Sequence, residues 1–233
     1  MSLKTDDLVH WIASLQKRYA KEKQYLTDLD SAIGDADHGI NMDRGFSAVM
    51  SELEKSAPVQ MDSLLKTVAM TLIKTVGGVS GPLYGTFFLR AAAICSEKSE
   101  LNANDMVAMF ESGLDGIVQR GKAQPNDKTM VDVWTPAVHA MKEGLKNGAS
   151  IKSILQLGTS AAEQGMKNTI PMQARKGRAS YLAERSIGHQ DPGATSSCWM
   201  IRQQAQTLKK SGRRSIPFIP KKASLFFLIS AAL

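Results

Sequence analysis

The sequence predicts an all-α protein, a bundle of antiparallel helices joined by short loops. Three observations carry this expectation. Apolar residues recur at three- and four-residue spacing along nearly the whole chain, no convincing run alternates polar with apolar residues, and no unit repeats. Composition agrees: aromatic residues make up only 6%, while 12 methionines and frequent alanines suit packed helices better than a β-sandwich. At 233 residues and 43% hydrophobic, the chain can bury a sizeable core as one large domain or two small ones.

The elements follow in order. Between residues 6 and 21, Leu8, Ile12, Leu15 and Tyr19 fall on one helical face. Asp30 ends a helix, and a turn through Asp35 and Asp37 leads to the next at 41–54. Over 60–76, Met61, Leu64, Leu65, Val68, Leu72 and Ile73 repeat the helical pattern, and a further helix is expected at 82–96. At 102–120, Met106, Met109, Phe110, Leu114, Ile117 and Val118 supply the apolar positions, Asn102 or Asn104 the N-cap, and Gly121 the stop. Helices at 131–146, after a Ser150 cap, and at 193–208 bring the total to about eight.

Charge and cysteine usage exclude several classes. The net charge is +7, but Lys209, Lys210, Arg213, Arg214, Lys221 and Lys222 lie close together near the end. The remainder is nearly neutral, so the body of the chain does not read as a nucleic-acid binder, and the basic tail lacks interleaved aromatics for base stacking. Cys95 and Cys198 have neither disulfide-framework nor zinc spacing, which fits a reducing compartment. The polar start lacks the apolar region of a signal peptide, and no stretch approaches the roughly 18 apolar residues of a membrane span. A cytoplasmic protein without membrane partners is expected.

Chemistry concentrates in the loops. Asp30, Asp35 and Asp37 crowd three carboxylates into eight residues. Such a cluster repels itself unless a hard cation such as Mg²⁺ sits among it, and Mg²⁺ brings phosphates. An isolated Asp-x-Asp is more often a turn or cap. A calcium loop starting at Asp35 fails, because Ile40 stands where Gly is required and Phe46 where the bidentate Glu belongs. The glycines at 77, 78 and 81, with Ser80, permit close backbone approach, yet no Gly-Lys-Ser/Thr follows and no strand precedes. The basic run 175–178 ends on Arg178, a bidentate phosphate donor in type. No Ser/His/Asp or Cys/His arrangement is readable, which suits phosphoryl transfer by positioning and charge.

Taken together, these stretches resemble subunit L of the bacterial phosphotransferase-dependent dihydroxyacetone kinases. The matching strings are Tyr25-Leu-Thr-Asp-Leu-Asp30, Gly34-Asp-Ala-Asp-His-Gly-Ile-Asn-Met-Asp-Arg-Gly-Phe46, Gly77-Gly-Val-Ser-Gly-Pro-Leu-Tyr-Gly-Thr-Phe-Phe88, Arg120-Gly-Lys-Ala123, Asp127-Lys-Thr-Met130, and the segment from Met172 through Arg178 to Ser196. They reach from the N-terminus to about Ile201. The resemblance implies an eight-helix antiparallel barrel with ADP or ATP at one end. It implies two Mg²⁺ ions on Asp30, Asp35 and Asp37. It assigns His38, Gly39, Ile40 and Asn41 to a nucleotide-contacting turn, Val79 and Ser80 to the glycine loop, and Gly121 and Met130 to the surroundings of the base. Arg178, as a catalytic cation, and Asp191, Pro192 and Gly193 complete the implied pocket.

The implied partners are an M subunit that phosphorylates bound ADP and a K subunit that holds dihydroxyacetone and receives the γ-phosphoryl, giving dihydroxyacetone phosphate. Two alternatives stay open: the nucleotide half of an ATP-dependent dihydroxyacetone kinase, and a regulatory L-like subunit that binds a transcription regulator. A homodimer is compatible with the sequence. The family counterpart ends near Arg202, so 1–202 is expected as the nucleotide-binding helical domain. Residues 203–233 form an atypical basic and apolar tail, for which disorder is one expectation.

Overall fold

Each helix expected from the apolar spacing forms. The structure, a computed structural model, describes residues 2–56 and 58–211. The helices are α1 (Thr5–Lys21), α2 (Lys23–Ile33), α3 (His38–Ser56), α4 (Met61–Thr75), α5 (Ser80–Ile94), α6 (Ala103–Gly121), α7 (Val131–Lys146), α8 (Ile151–Asn168) and α9 (Pro192–Ser211). A 3-10 segment, Arg178–Ser186, lies between α8 and α9. The all-α expectation has one small exception: β1 (Leu3–Lys4) pairs antiparallel with β2 (Glu100–Leu101).

Local chemistry sets the ends. Asn102 caps α6, accepting from the Asp105 amide at 3.0 Å, while the Asp105 carboxylate accepts from the Asn102 amide at 3.1 Å. The expected stop at Gly121 moves by one residue: Gly121 is still helical, and Lys122 takes the left-handed conformation that ends α6. Ser150 caps α8 through the Ser153 amide. Helix α3 starts three residues earlier than its apolar pattern suggests, because a carboxylate from α2 satisfies its first amides.

The ring helices pack in sequence, α1 on α3, then α3 to α9 each on the next, and α9 returns to α1. The result is a closed barrel of eight helices, with α2 packed on α3 and α9 outside that ring. Glycine contacts give the direction of the α7–α8 pair: Gly144 faces Ile154 and Leu157, Gly158 faces Met141, and Gly165 abuts the Asp132 backbone. Residue numbers rise on one helix as they fall on the other, so the pair is antiparallel. Pro136 cannot donate to the Asp132 carbonyl, and α8 comes close at that carbonyl.

Aromatics are few but concentrated. Trp11, Phe87, Phe88, Phe110 and Trp134 fill the barrel, with Phe87 and Trp134 centroids 4.6 Å apart. The α1–α9 seam is polar as well as apolar: Trp11 Nε1 donates to the Met200 carbonyl at 2.9 Å and Tyr19 OH to the Ser196 carbonyl at 2.9 Å. Helix α9 continues past residue 202, and Ala205 and Leu208 are buried. The rest of the expected tail, 212–233, lies outside the described residues. No helix among the described residues is long and apolar enough to cross a membrane.

Because neighbours alternate in direction, one end of the barrel collects the α2–α3 turn, the α4–α5 loop, the α6–α7 loop and the α8–α9 strap. The same end presents the N-termini of α3, α5, α7 and α9, each a positive dipole end; the first amides of α3 and α9 already have carboxylate partners in Asp30 and Asp191.

Candidate functional site

The α2–α3 turn is built around Asp30. This residue is buried one helical turn before the end of α2. Its Oδ2 accepts from the amides of Asp37 at 2.9 Å and His38 at 3.1 Å, so it caps α3 from a distance. A negative group there also complements the dipole. Gly34 is required, since a Cβ would overlap the Asp30 carboxylate. Ala36, at φ 58, turns the chain so that Asp35 and Asp37 come back toward Asp30. One carboxylate oxygen from each of the three aspartates lies within 4.8 Å of the others. Arg178 Nε donates to Asp35 Oδ2 at 3.0 Å, so a cationic side chain already leans on the cluster.

Behind the aspartates runs a buried polar chain. Ser80 Oγ and His38 Nδ1 are 3.3 Å apart, and His38 Nε2 and Ser196 Oγ 2.8 Å. The Tyr84 hydroxyl sits 2.6 Å from Ser196 Oγ and 2.9 Å from Ser197 Oγ. Burial pulls the His38 pKa below its ordinary value, against the pull of Asp30 and Asp37. The ring is therefore neutral at pH 7, donating from one nitrogen and accepting at the other. Ser80, at the first position of α5, is held at the pocket by this chain.

A cavity of about 870 Å³ opens beside the cluster, within the range of small-molecule sites. Its wall includes Asp30, Asp35, Asp37, His38, Val79, Ser80, Gly121, Met130, Arg178, Asp191, Pro192 and Gly193, all expected as site residues. Ile117, Leu83 and Val131 line an apolar part near Met130 and Gly121, suited to a flat ring. Asp191 Oδ2 accepts from the Ala194 amide at 2.7 Å at the start of α9. Loss of surrounding water pushes the Asp191 carboxyl up to about 7, only partly opposed by the Ala194 amide and by Lys128.

Three expected contacts are not on the wall. Gly39 faces the Lys23 carbonyl and Thr27 of α2. Ile40 points outward and is 44% exposed. Asn41 is buried under the glycine turn, its Oδ1 accepting from Arg44 and its amide adjoining Gly77, so it supports that turn from behind. Conversely, Arg120, Lys128 and Thr129, which had no expected role, line the cavity, as does Lys176 from the basic run 175–178. Lys128 and Thr129 stand in the Asp127–Met130 string, where only Met130 drew a role.

The donor set fits Mg²⁺: three hard carboxylates within reach of one another, beside a cavity roomy enough for phosphates and rimmed by helix N-termini.

Comparison with known proteins gives the family and the fold. Residues 32–206 match the DAK2 domain. The chain is 48% identical over 210 residues to the ADP-binding subunit DhaL of the PEP-dependent dihydroxyacetone kinase of Escherichia coli, covering 90% of this chain and 100% of that protein. It is 41% identical over 199 residues to the ADP-binding subunit of the PTS-dependent dihydroxyacetone kinase of Lactococcus lactis, covering 85% of this chain and 95% of that one. The fold is that of the C. freundii dihydroxyacetone kinase solved with AMP-PNP and Mg²⁺, with a TM-score of 0.67 at 23% identity over 84% of this chain and 33% of that one. A helical barrel with an acidic turn at the mouth of its cavity, matched along nearly its whole length by these subunits, makes this chain a member of the DAK2-domain family, in the group of dihydroxyacetone kinase ADP-binding subunits.

Proposed function

We propose that this chain is the ADP- and ATP-holding subunit of a phosphotransferase-system-dependent dihydroxyacetone kinase. A donor subunit, M, phosphorylates the bound ADP. The γ-phosphoryl then passes to dihydroxyacetone on a partner subunit, K, giving dihydroxyacetone phosphate. The observation that carries the reading is the convergence of Asp30, Asp35 and Asp37 on the wall of a nucleotide-sized cavity.

Asp30, Asp35 and Asp37 would hold about two Mg²⁺ ions, which supply charge neutralisation and in-line orientation of the phosphates. This chain's residues do the remainder. Ser80 and the amides at the start of α5 orient phosphate oxygens, with His38 fixing the serine rotamer and Ser196, itself bonded to Tyr84, holding the His38 ring. Met130, Gly121 and Leu83 grip the base. Arg178 offers its guanidinium to the transferring phosphoryl, exchanging it for Asp35. Two divalent ions against three carboxylates and a diphosphate leave roughly −2, which Arg178 and Lys176 at the mouth reduce. Neither cysteine acts as a nucleophile: both are buried, and burial pushes each thiol up to about 12. Two free thiols also fit a cytoplasmic setting.

The test is the nucleotide content of the purified protein. Denaturation should release ADP, with about two Mg²⁺ per chain. A nucleotide-free protein that fails to bind ADP in Mg²⁺ overturns the proposal. Rapid exchange of bound ADP for free ATP would assign the chain to an ATP-dependent kinase instead.

A further inference from the structure

The loop 122–130 and the strap 169–191 form separate parts of the pocket wall, and one buried charge joins them. Lys128 is 1% exposed. Its Nζ donates to the carbonyls of Thr169 at 2.7 Å, Met172 at 3.0 Å and His189 at 2.5 Å, with Ile170 at 3.4 Å. An ammonium has three N–H donors, so the four oxygens share them. Thr169, Ile170 and Met172 stand where the strap leaves α8, and His189 stands where it approaches α9. The two ends are also stitched together: the Gly188 amide donates to the Ile170 carbonyl at 2.8 Å, and the Asp191 amide to Thr169 Oγ1 at 3.1 Å.

The loop that carries Lys128 is itself tightly specified. Lys122, Asn126 and Lys128 all adopt positive φ, a costly state for residues with a Cβ. Asp132 holds the amides of Asn126 and Thr129, and Asp127 that of Gln124. Within the strap the buried Ser186 hydroxyl accepts from the Ala174 amide at 2.8 Å, and between these two residues the strap is held lightly. Ala174, Ala179 and Leu182 form a small apolar cluster with Ile33, separate from the main core. The Arg178–Asp35 pair is open to water, and the Arg175 amide donates to the Asp127 carbonyl at 3.0 Å. Lys176, Gly177, Arg178 and Ala179 nonetheless face the cavity.

We infer that Lys128 is a positioning residue: its ammonium anchors both ends of the strap to the base-side loop, keeping Arg178 and Asp191 in register with the nucleotide while the middle of the strap opens and closes. The inference rests on the nucleotide reading above and assigns its retention to a side chain that need not touch the phosphates. A cage of four carbonyls emptied of its ammonium is also a site for a small organic cation, and that separates this role from mere packing.

The experiment compares wild-type protein with Lys128→Ala. Dissociation of ADP in Mg²⁺ should speed up at least about tenfold, and trypsin should cut faster at the exposed Arg175, Lys176, Arg178 and Arg185. Methylammonium chloride should slow dissociation from the variant again, while sodium chloride at equal ionic strength should not. Unchanged dissociation, or acceleration indifferent to methylammonium, overturns the inference. Hydrogen exchange on the nucleotide-free wild type guards against a variant that fails to fold: the Gly188 and Asp191 amides should stay protected while those of 176–185 exchange quickly, and joint opening of ends and middle overturns it. Should the wild type hold no ADP, the nucleotide reading fails, whereas trypsin and hydrogen exchange still judge the anchor.

Discussion

Asp30 has two jobs that a pair of substitutions can separate. It caps α3 through two backbone amides, and it is one of three carboxylates that converge on the cavity. Asp30→Ala removes both. Losing an N-cap acceptor costs about 2 kcal/mol, which for a domain of this size lowers Tm by roughly 4–8 °C. Asp30→Asn keeps an oxygen for the amides and loses only the charge at the dipole, about 1 kcal/mol or less. Its Tm should fall by roughly 1–3 °C. The ligand effect should be large in both. Wild type at a hundredfold excess of ADP over Kd gains about 2.7 kcal/mol in Mg²⁺. A variant lacking one anionic ligand, weakened about a hundredfold, gains less than about 1 kcal/mol at the same concentration. Thermal unfolding with and without ADP and Mg²⁺ measures both quantities. If Asp30→Asn shows the full wild-type shift, Asp30 is a helix cap alone and the three-carboxylate site is refuted.

Asp35→Ala and Asp37→Ala should lose metal and nucleotide together, because the phosphates reach the protein through the ions; retention of ADP without Mg²⁺ by isothermal titration would contradict this. Arg178→Ala should slow phosphoryl transfer by roughly a hundredfold or more and change ADP affinity little, and its exposed pair with Asp35 should be worth less than about 1 kcal/mol in stability. Equal losses in binding and turnover would remove Arg178 from the transfer step. For Asp191 the folded pKa of about 7 lies above the unfolded carboxylate value, so the folded state holds the proton longer. Stability without nucleotide should therefore be fully present below about pH 4 and decline as pH rises toward 7. Asp191→Asn should raise Tm more at pH 8 than at pH 5, and an equal change at both pH values would show that the carboxyl is not perturbed.

The acidic turn was legible because its members are neighbours: Asp37 stands seven positions after Asp30, and a turn brings them together whatever the rest of the fold does. The ring helices were legible from apolar spacing. Helix α2 was not separated from its surroundings, since among its residues only Leu26, Asp30 and Ile33 are buried, too few for a clear stripe. Gly39, Ile40 and Asn41 show a different limit. They belong to the first turn of α3, where each residue is rotated about 100° from the last. A contiguous string of site residues therefore cannot all face one cavity, and His38 alone of the four lines it. His38 on Ser196 and Lys128 on His189 bridge 158 and 61 residues, and nothing local in the chain marks such pairs.

The seam between the first and last helices carries a consequence for how the molecule comes into being. Trp11 bonds to Met200 across 189 positions, and Tyr19 to Ser196 across 177. Seven helices can zip up from the N-terminal side by local contacts, yet the wall stays open until the eighth arrives. A nascent chain released short of that point exposes its indole and phenol rings to other proteins. Sealing is thus the late, topologically expensive event, and damage near residue 200 should show up as slow or failed assembly long before it shows up in the chemistry at the other end.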